Sequence, residues 1–314
     1  MFSVIIPLYN KQGYIKKAMQ SVLNQTFSAF ELIVVDNNST DHGFHLAQEI
    51  KDERIRFISE TNKGVSFARN KGIQSSKFEY ICFLDADDYW HTNHLKQLFD
   101  LIQEYPNAGC WADLYEIIES NGNKRSVVIS QSKLQSSFIL ENYFKKIAFG
   151  DSPIHINSAC VPKKVLTEFN GFHESIHYGE DTLLWSSLFL NYPIVISNHM
   201  GSVYQRSADN RSDIPEKLIQ ELPVIKELEK LLEWKTAAKF QNDIRALIAK
   251  QLFLNLISCL KAGRRTEARR FAQDKRLKAF PSLKKLMVLK AMSLFPGLFN
   301  RLFFKVLSLL NFIK

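Results

Sequence analysis

Asp85, Asp87 and Asp88 put three carboxylates within four positions, directly after the apolar run Tyr80 to Leu84. Crowding like charges at the mouth of a buried strand is unfavourable unless a cation is present. A hard divalent ion, Mg2+ or Mn2+, relieves that repulsion and keeps positions open for phosphate oxygens. The alternative is a solvated acidic turn, because an isolated Asp-x-Asp recurs by chance. A second acid pair, Glu180 and Asp181, precedes Leu183, Leu184, Trp185, Leu188 and Phe189, a helical pattern. Acids there complement the positive end of a helix, and a carboxylate so placed can also accept a proton as general base. Arg69 is either a partner for phosphate or a helix-surface side chain, and Arg206 either a phosphate clamp or a plain loop arginine.

The elements that must position these groups are legible upstream. Ser3 to Leu8 reads as a central strand, and Ile15, Ala18, Met19, Val22 and Leu23 recur at helical spacing. Phe30 to Val35 is a second buried strand, ending at Asp36 and the turn-rich 37–41. A polar helix to about Lys51, a strand at Ile55 to Ser59, a helix opened by Gly64 and the strand Tyr80 to Leu84 complete the series. Strands alternating with helices predict right-handed crossovers and a mostly parallel sheet with helices on both faces. Ligands of such sheets sit beyond the carboxyl ends of the strands, where Tyr9, Asn10, Asp36 and the Asp cluster collect. Further on, Asn121-Gly122 predicts a hairpin joining Trp111–Ile118 to 124–129. Phe138 to Phe149 reads as helical, and Asn157 to Val161 as a strand leading to a helix near Lys163.

Six stretches, in order, carry a resemblance. They are residues 3–11 (SVIIPLYNK), 21–27 (SVLNQTF), 31–41 (ELIVVDNNSTD), 62–70 (NKGVSFARN), 83–88 (FLDADD) and 179–185 (GEDTLLW). Together they resemble the inverting family 2 glycosyltransferases of bacterial surface-polysaccharide type, over about 185 residues. The resemblance implies a GT-A fold, a nucleotide-sugar donor and a divalent metal (Mg2+ or Mn2+) as cofactor. It implies Asp181 as the base that deprotonates the acceptor hydroxyl, with Glu180 orienting acceptor or donor sugar. It puts Asp87 on the metal and Asp85 near the ribose, with Asp88 able to exchange roles with either. Pro7, Tyr9 and Asp36 would frame the nucleotide base, Arg69 would lie beside the donor phosphates or base, and Arg206 (or Arg211) would clamp a phosphate. One departure stands out: Asn37 and Asn38 fill places where the family commonly has an acid and a Gly before Ser, so a role of the neighbouring acid is gone.

With 314 residues and 46% apolar content, the chain can build one sizeable domain and an appendage. Charge divides it. Residues 1–214 carry a net −4 and residues 215–314 a net +13, within the overall +9. The expected organisation is a catalytic domain over 1–214, with residues 1–110 binding the nucleotide and residues 111–214 the acceptor, and a basic, amphipathic helical region over 215–314. Lys217 to Leu232 and Ile244 to Leu260 read as its amphipathic helices. From Lys275 onward there are nine Lys or Arg and no acid, mixed with Leu and Phe, and Pro281, Pro296 and Gly297 break the run. Helices of this kind lie on an anionic membrane surface; the alternative is packing on the catalytic domain or on a second subunit. Interleaving with Leu and Phe fits lipid better than nucleic acid, despite a pI near 9.2. The first strand begins at once, leaving no room for a signal peptide and predicting a cytoplasmic protein. Cys82, Cys110, Cys160 and Cys259 show no metal or redox spacing and read as buried thiols. A dinucleotide oxidoreductase requires Gly-x-Gly-x-x-Gly after the first strand, which residues 9–13 do not supply. A nucleotidyltransferase usually shows a Gly-rich basic loop there, and a non-catalytic binding module would have lost Asp87 or Asp181. The expectation is therefore transfer of one sugar, most simply from a UDP-sugar, to a glycan or lipid-linked acceptor.

Overall fold

The computed structural model describes residues 1–127, 129, 136–206, 222–280 and 282. The chain divides into two compact units, one of Met1–Glu141 with Ser152–Asn210 and one of Asn142–Asp151 with Arg211–Lys314. In chain order the elements are β1 (Phe2–Leu8), α1 (Ile15–Leu23), β2 (Phe30–Asp36), α2 (Gly43–Gln48), β3 (Ile55–Ser59), α3 (Val65–Ser75) and β4 (Tyr80–Phe83). There follow β5 (Tyr89–Trp90), α4 (His94–Glu104), β6 (Cys110–Ile118), β7 (Lys124–Ser126), β8 (Ser137–Ile139), α5 (Tyr143–Phe149), β9 (Ala159–Pro162), α6 (Lys163–Glu168), α7 (Glu180–Asn191) and β10 (Ile194–Gln205). The last described helices are α8 (Pro223–Leu231), α9 (Gln241–Lys261) and α10 (Arg265–Ala272).

The strands of the first unit form one mixed sheet in the order β3-β2-β1-β4-β9-β6-β10-β5, with β7 beside β6 and β8 beside β10. β3, β2, β1 and β4 are parallel, while β9 runs antiparallel to both β4 and β6. Alternation explains why β1 is buried along its whole length. Phe2, Val4, Ile6 and Leu8 join a cluster with Ile15, Ala18, Met19 and Val22 of α1 and Leu95, Leu98 and Ile102 of α4. Ile5 points the other way, against α3, where Gly72 leaves room for its side chain. The register Leu8 to Asp36 sets the ends of β1 and β2 level, so the polar loops that follow them emerge side by side.

In the second unit α9 is the hub. Ile244, Leu247, Leu252 and Leu256 are fully or nearly fully buried, but so are Gln251 and Asn255, so this helix is enclosed rather than amphipathic. Asn142 caps α5 by accepting from Lys145 N–H (2.9 Å) and donates to Asp243 (2.8 Å). Lys250 donates to the carbonyls of Ile147 and Gly150 at the end of α5, and burial lowers its pKa to about 8. Two further readings change. The expected helix Phe138 to Phe149 splits, because Phe138 lies in β8 and the helix begins at Tyr143; that helix belongs with the C-terminal unit. Residues 275–280 pack into the second unit, with Leu277 buried, Arg276 paired to Glu229 (2.8 Å) and Phe280 stacked on Phe253 at 4.0 Å. The remaining tail readings, from Leu283 to Leu310, and Arg211 lie outside the described residues.

Within the sheet, His94 and Asp113 form a fully buried pair (2.9 Å), and Ser197 donates to the other Asp113 oxygen. Gly201 of β10 packs against this pair, and a Cβ there would run into His94 Nδ1 and the Asp113 carboxylate. Gly201→Ala should therefore destabilise the protein by about 1–3 kcal/mol through overpacking, read as a lowered denaturation midpoint. A midpoint equal to that of the native protein would refute this account of the packing.

Candidate active site

The loops beyond β1 and β2 are tied together by asparagine. Asn10 adopts the left-handed conformation (φ 51°), and its Oδ1 accepts from the N–H groups of Thr40 (2.7 Å) and Asp41 (3.3 Å). Asn37 is buried; its Oδ1 accepts from Gly64 N–H (2.8 Å) and its Nδ2 donates to the carbonyls of Glu60 (3.1 Å) and Asn62 (2.6 Å). A carboxylate in this place would face two carbonyl oxygens with nothing to donate, so the amide is required by its surroundings. Asn38, also left-handed (φ 62°), donates to Thr61 O at 2.7 Å. Gly64, at φ 138°, supplies a turn into α3 that a side chain would strain. Buried Pro7, 47%-exposed Tyr9 and Asp36, whose Oδ1 accepts from Ser39 N–H (3.3 Å), border this corner.

The three aspartates after β4 receive three different treatments. Asp85 pairs with Arg69 (2.8 Å) and Asp87 with Lys11 (2.7 Å). Asp88 is buried, with one oxygen accepting from Asn157 Nδ2 (2.6 Å) and the other from Gln205 N–H (2.6 Å). Asn157 also accepts from Asp85 N–H (2.8 Å), and the Gln205 side chain donates to Asp87 O. Burial raises the pKa of Asp87, and Asp85 adds to this, against the pull of Lys11. Asp88 is pushed well up, by burial first and then by Asp87 and Asp85.

Arg69 reaches the second acid pair. Only 3% exposed, its guanidinium bonds Asp85 with one terminal nitrogen and Glu180 (2.8 Å) with the other, 5.1 Å above the Phe172 ring. Burial opposes its charge, but the two carboxylates outweigh burial and its pKa is raised. The neighbouring Asn70 clamps Phe172 through both N–H and C=O (2.8 Å each), bringing the segment ahead of α7 against α3. Gly179 (φ 82°) makes the turn that starts α7. Asp181 accepts from Thr182 N–H (2.6 Å), and its pKa is pushed up to about 6 by burial and then by Glu180, against Arg69.

Asp85, Asp87, Asp88, Arg69, Glu180 and Asp181 thus belong to one network. The helix-surface alternative for Arg69 is excluded by its burial. Arg206 pairs with Glu119 (3.3 Å), which also receives Arg125 (2.9 Å), so it is engaged with protein beside the strand end that holds Asp88. Lys11 and Asn157 were not singled out by sequence. Lys11 lies inside the first quoted motif, three residues past β1, a place where a cation would meet the acids beyond β4. Asn157 carries no such signal, standing 69 residues from Asp88. Among the described residues, no three His, Cys, Asp or Glu side chains converge as a metal cage. Asp88, a candidate ligand by its motif, accepts one protein donor on each oxygen. Asp85 and Asp87 each give one oxygen to a cation of the chain, and two carboxylates suit an ion that takes its other ligands from phosphates and water.

Comparison with known proteins agrees with this architecture. The profile described as glycosyl transferase family 2 matches residues 3–160. Glycosyltransferase GlyA of Streptococcus pneumoniae is 34% identical over 122 residues, 38% of this chain and 18% of that protein. The minor teichoic acid biosynthesis protein GgaA of Bacillus subtilis is 30% identical over 200 residues, 60% of this chain and 43% of that one. The chain therefore spans less than half the length of these two relatives. Among solved structures, S. aureus TarS 1-349 in complex with UDP-GlcNAc superposes with TM-score 0.67 at 19% identity, covering 93% of this chain and 88% of that one. The mannosyltransferase PcManGT from Pyrobaculum calidifontis, in complex with GDP-Man and Mn2+, superposes with TM-score 0.59 at 16% identity, covering 93% and 84%. No described helix is long and apolar enough to cross a membrane. With its GT-A sheet, its paired acid clusters and a family profile running from β1 into β9, the chain belongs to glycosyl transferase family 2.

Proposed function

We propose that this glycosyltransferase transfers one hexosyl or N-acetylhexosaminyl residue, with inversion, from a UDP-sugar to a growing surface glycan or its lipid carrier. The observation that carries this reading is Arg69, which joins the acid that follows β4 to the acid pair that opens α7 in one buried network. The nucleotide would lie against Pro7, Tyr9 and Asp36. Asp181, ionised above about pH 6, accepts the proton of the acceptor hydroxyl as its oxygen attacks C1. The C1–oxygen bond to the diphosphate breaks and its electron pair leaves with the diphosphate. Glu180 and Arg69 hold the base side at a fixed distance from the leaving-group side. Asp85 and Asp87 would hold a Mg2+ or Mn2+ ion, whose charge offsets that developing on the diphosphate, while Asp88 fixes the loop. Arg206 is a further cation for phosphate if Glu119 releases it. The surface-glycan acceptor is supported by the name of GgaA, and the donor class by TarS in complex with UDP-GlcNAc. The test is a screen of nucleotide-sugars for metal-dependent binding and slow hydrolysis by the purified chain. Failure of every UDP-sugar to bind would refute the donor assignment.

Asp87→Asn should nearly abolish metal-dependent UDP-sugar binding by calorimetry, since it removes one of the two available ligand charges. Full affinity in the variant, or in the native protein with excess chelator, would overturn the metal assignment.

Asp181→Asn should lower kcat by roughly 10²-fold or more while leaving donor affinity intact. In the native protein kcat/KM should fall as pH drops below about 6, where the base becomes protonated. Stability runs the other way. A folded pKa above the unfolded one means the folded state binds more protons, so Asp181 stabilises only at low pH and that contribution is lost as pH rises from about 4 to 6. The Asn variant should therefore melt at or above the native temperature at pH 7.5, and lose that advantage near pH 4. A variant that melts lower at pH 7.5, or one for which Glu180→Gln proves the more crippling change, would require the two roles to be exchanged.

Attachment to an anionic membrane surface is proposed for the basic, apolar residues beyond Ser282. Because residues 275–280 are packed into the second unit, the informative truncation follows Ser282. It should release the protein from phosphatidylserine vesicles at low salt and leave UDP-sugar binding unchanged. Full-length protein that ignores such vesicles would refute the attachment.

A further inference from the structure

His155 stands half-buried immediately before the 3-10 turn Ile156–Ser158, and its surroundings fix it closely. Its backbone N–H donates to Ser158 Oγ (3.2 Å), and its ring Nδ1 accepts from Asn157 N–H (3.3 Å). The ring packs against Tyr204 (centroids 4.6 Å apart) and Tyr115 (4.9 Å), and Tyr115 is itself anchored by donating to Ser152 O (2.8 Å). The same Asn157 whose N–H meets the ring holds Asp85 and Asp88 through its side chain. An imidazole nitrogen that accepts a hydrogen bond carries no proton, so the proton of neutral His155 is on Nε2. The ring stays neutral: burial lowers its pKa to about 4, and Arg69 and Arg206 add to this against Asp85. Those three charges act on the ring because it lies near them. Among the described residues Nε2–H has no hydrogen-bond partner, yet it is not among the sealed, unsatisfied atoms. It is an oriented donor that is not sealed off, with no acceptor among the described residues.

We propose that His155 is a substrate-binding residue whose Nε2–H donates to a sugar hydroxyl oxygen in the catalytic pocket. The proposal rests on the glycosyl-transfer reading above. A phosphate would be met by the cations Arg69, Lys11 and Arg206. A neutral donor with one fixed direction, bordered by two tyrosine rings, suits an uncharged hydroxyl beside the C–H face of a sugar. Such a donor also discriminates, because an epimer that moves the hydroxyl leaves the N–H unpaired. The sugar is that of the donor or that of the acceptor, and the two are separable by experiment.

The test uses the full chain with UDP, UDP-GlcNAc or another UDP-sugar selected by the hydrolysis screen, and the acceptor in transfer assays. Long-range 1H–15N spectra should show His155 as the Nε2–H tautomer from pH 5.5 to 8; a proton on Nδ1 would overturn the proposal without any substrate. His155→Phe keeps a ring against the tyrosines and removes the donor, whereas His155→Gln keeps an N–H. The Phe variant should weaken UDP-sugar binding, or raise the acceptor KM, by about tenfold, with affinity for UDP alone unchanged and partial recovery in the Gln variant. A change in UDP-sugar affinity assigns the contact to the donor sugar, and a change confined to acceptor KM assigns it to the acceptor. Native affinities and KM in His155→Phe would overturn the inference alone, as would an equal loss of UDP affinity, which would mark a structural role acting through Asn157. If the Phe variant does not fold, the tautomer spectrum and the Gln variant still decide: His155→Gln should keep full UDP affinity and retain weakened but measurable UDP-sugar binding or acceptor use, and native values of both, or an equal loss of UDP affinity, would overturn the inference. Absence of any nucleotide-sugar binding by the native chain overturns the proposed function, and this inference with it.

Discussion

A buried guanidinium is the constraint on which the site depends. Taking Arg69 out of water costs several kcal/mol, and only matched carboxylates in good geometry return it. Two are supplied, from just past β4 and from the start of α7, so α7 must come 111 residues along the chain to meet α3 and the β4 loop at one side chain. Removing either acid would leave a buried charge underpaired, which makes the junction stringent. The Asn70 clamp on Phe172 and the left-handed turn at Gly179 are the local means by which the α7 segment reaches α3.

The acidic loop solves its own repulsion by dividing labour. One aspartate is held by Arg69, one by Lys11, and the third is satisfied by two neutral donors. Asp88 is the clasp. By accepting from Asn157 and from the backbone of Gln205, it locks the loop to the turn before β9 and to the end of β10. A metal-binding role and a structural role are chemically alike in sequence, since both want an acid beside other acids. The structural role of Asp88 is visible in its hydrogen-bond partners.

Asp181 illustrates the conflict between stability and chemistry. A proton acceptor working near neutral pH is best served by a carboxylate whose pKa lies above the ordinary value, and burial beside Glu180 provides that shift. The same environment disfavours the ionised form that the proposed role as base needs, so the fold tolerates the group rather than gaining from it. Arg69 limits the penalty by placing positive charge nearby.

The sequence by itself determined the layered α/β architecture, because fully apolar strands such as Ile5 to Leu8 and Ile33 to Val35 must be covered on both faces. It also marked the Asp85, Asp87 and Asp88 cluster and the Glu180–Asp181 pair, since their motifs are contiguous and need no knowledge of partners. The span of α1 and the start of α3 followed from periodicity and from Gly64. The helix expected over Phe138 to Phe149 was misread because a short strand and a short helix share an apolar pattern, and only pairing of Ile139 with Val195 distinguishes them. Tertiary structure alone decided that Arg69 is buried, that Lys11 meets Asp87, that Asp88 is a clasp and that His155 presents one oriented N–H. Each of these rests on a contact between residues that no local pattern relates, and the energy of burying a charge or a polar atom depends on the partner it finds there.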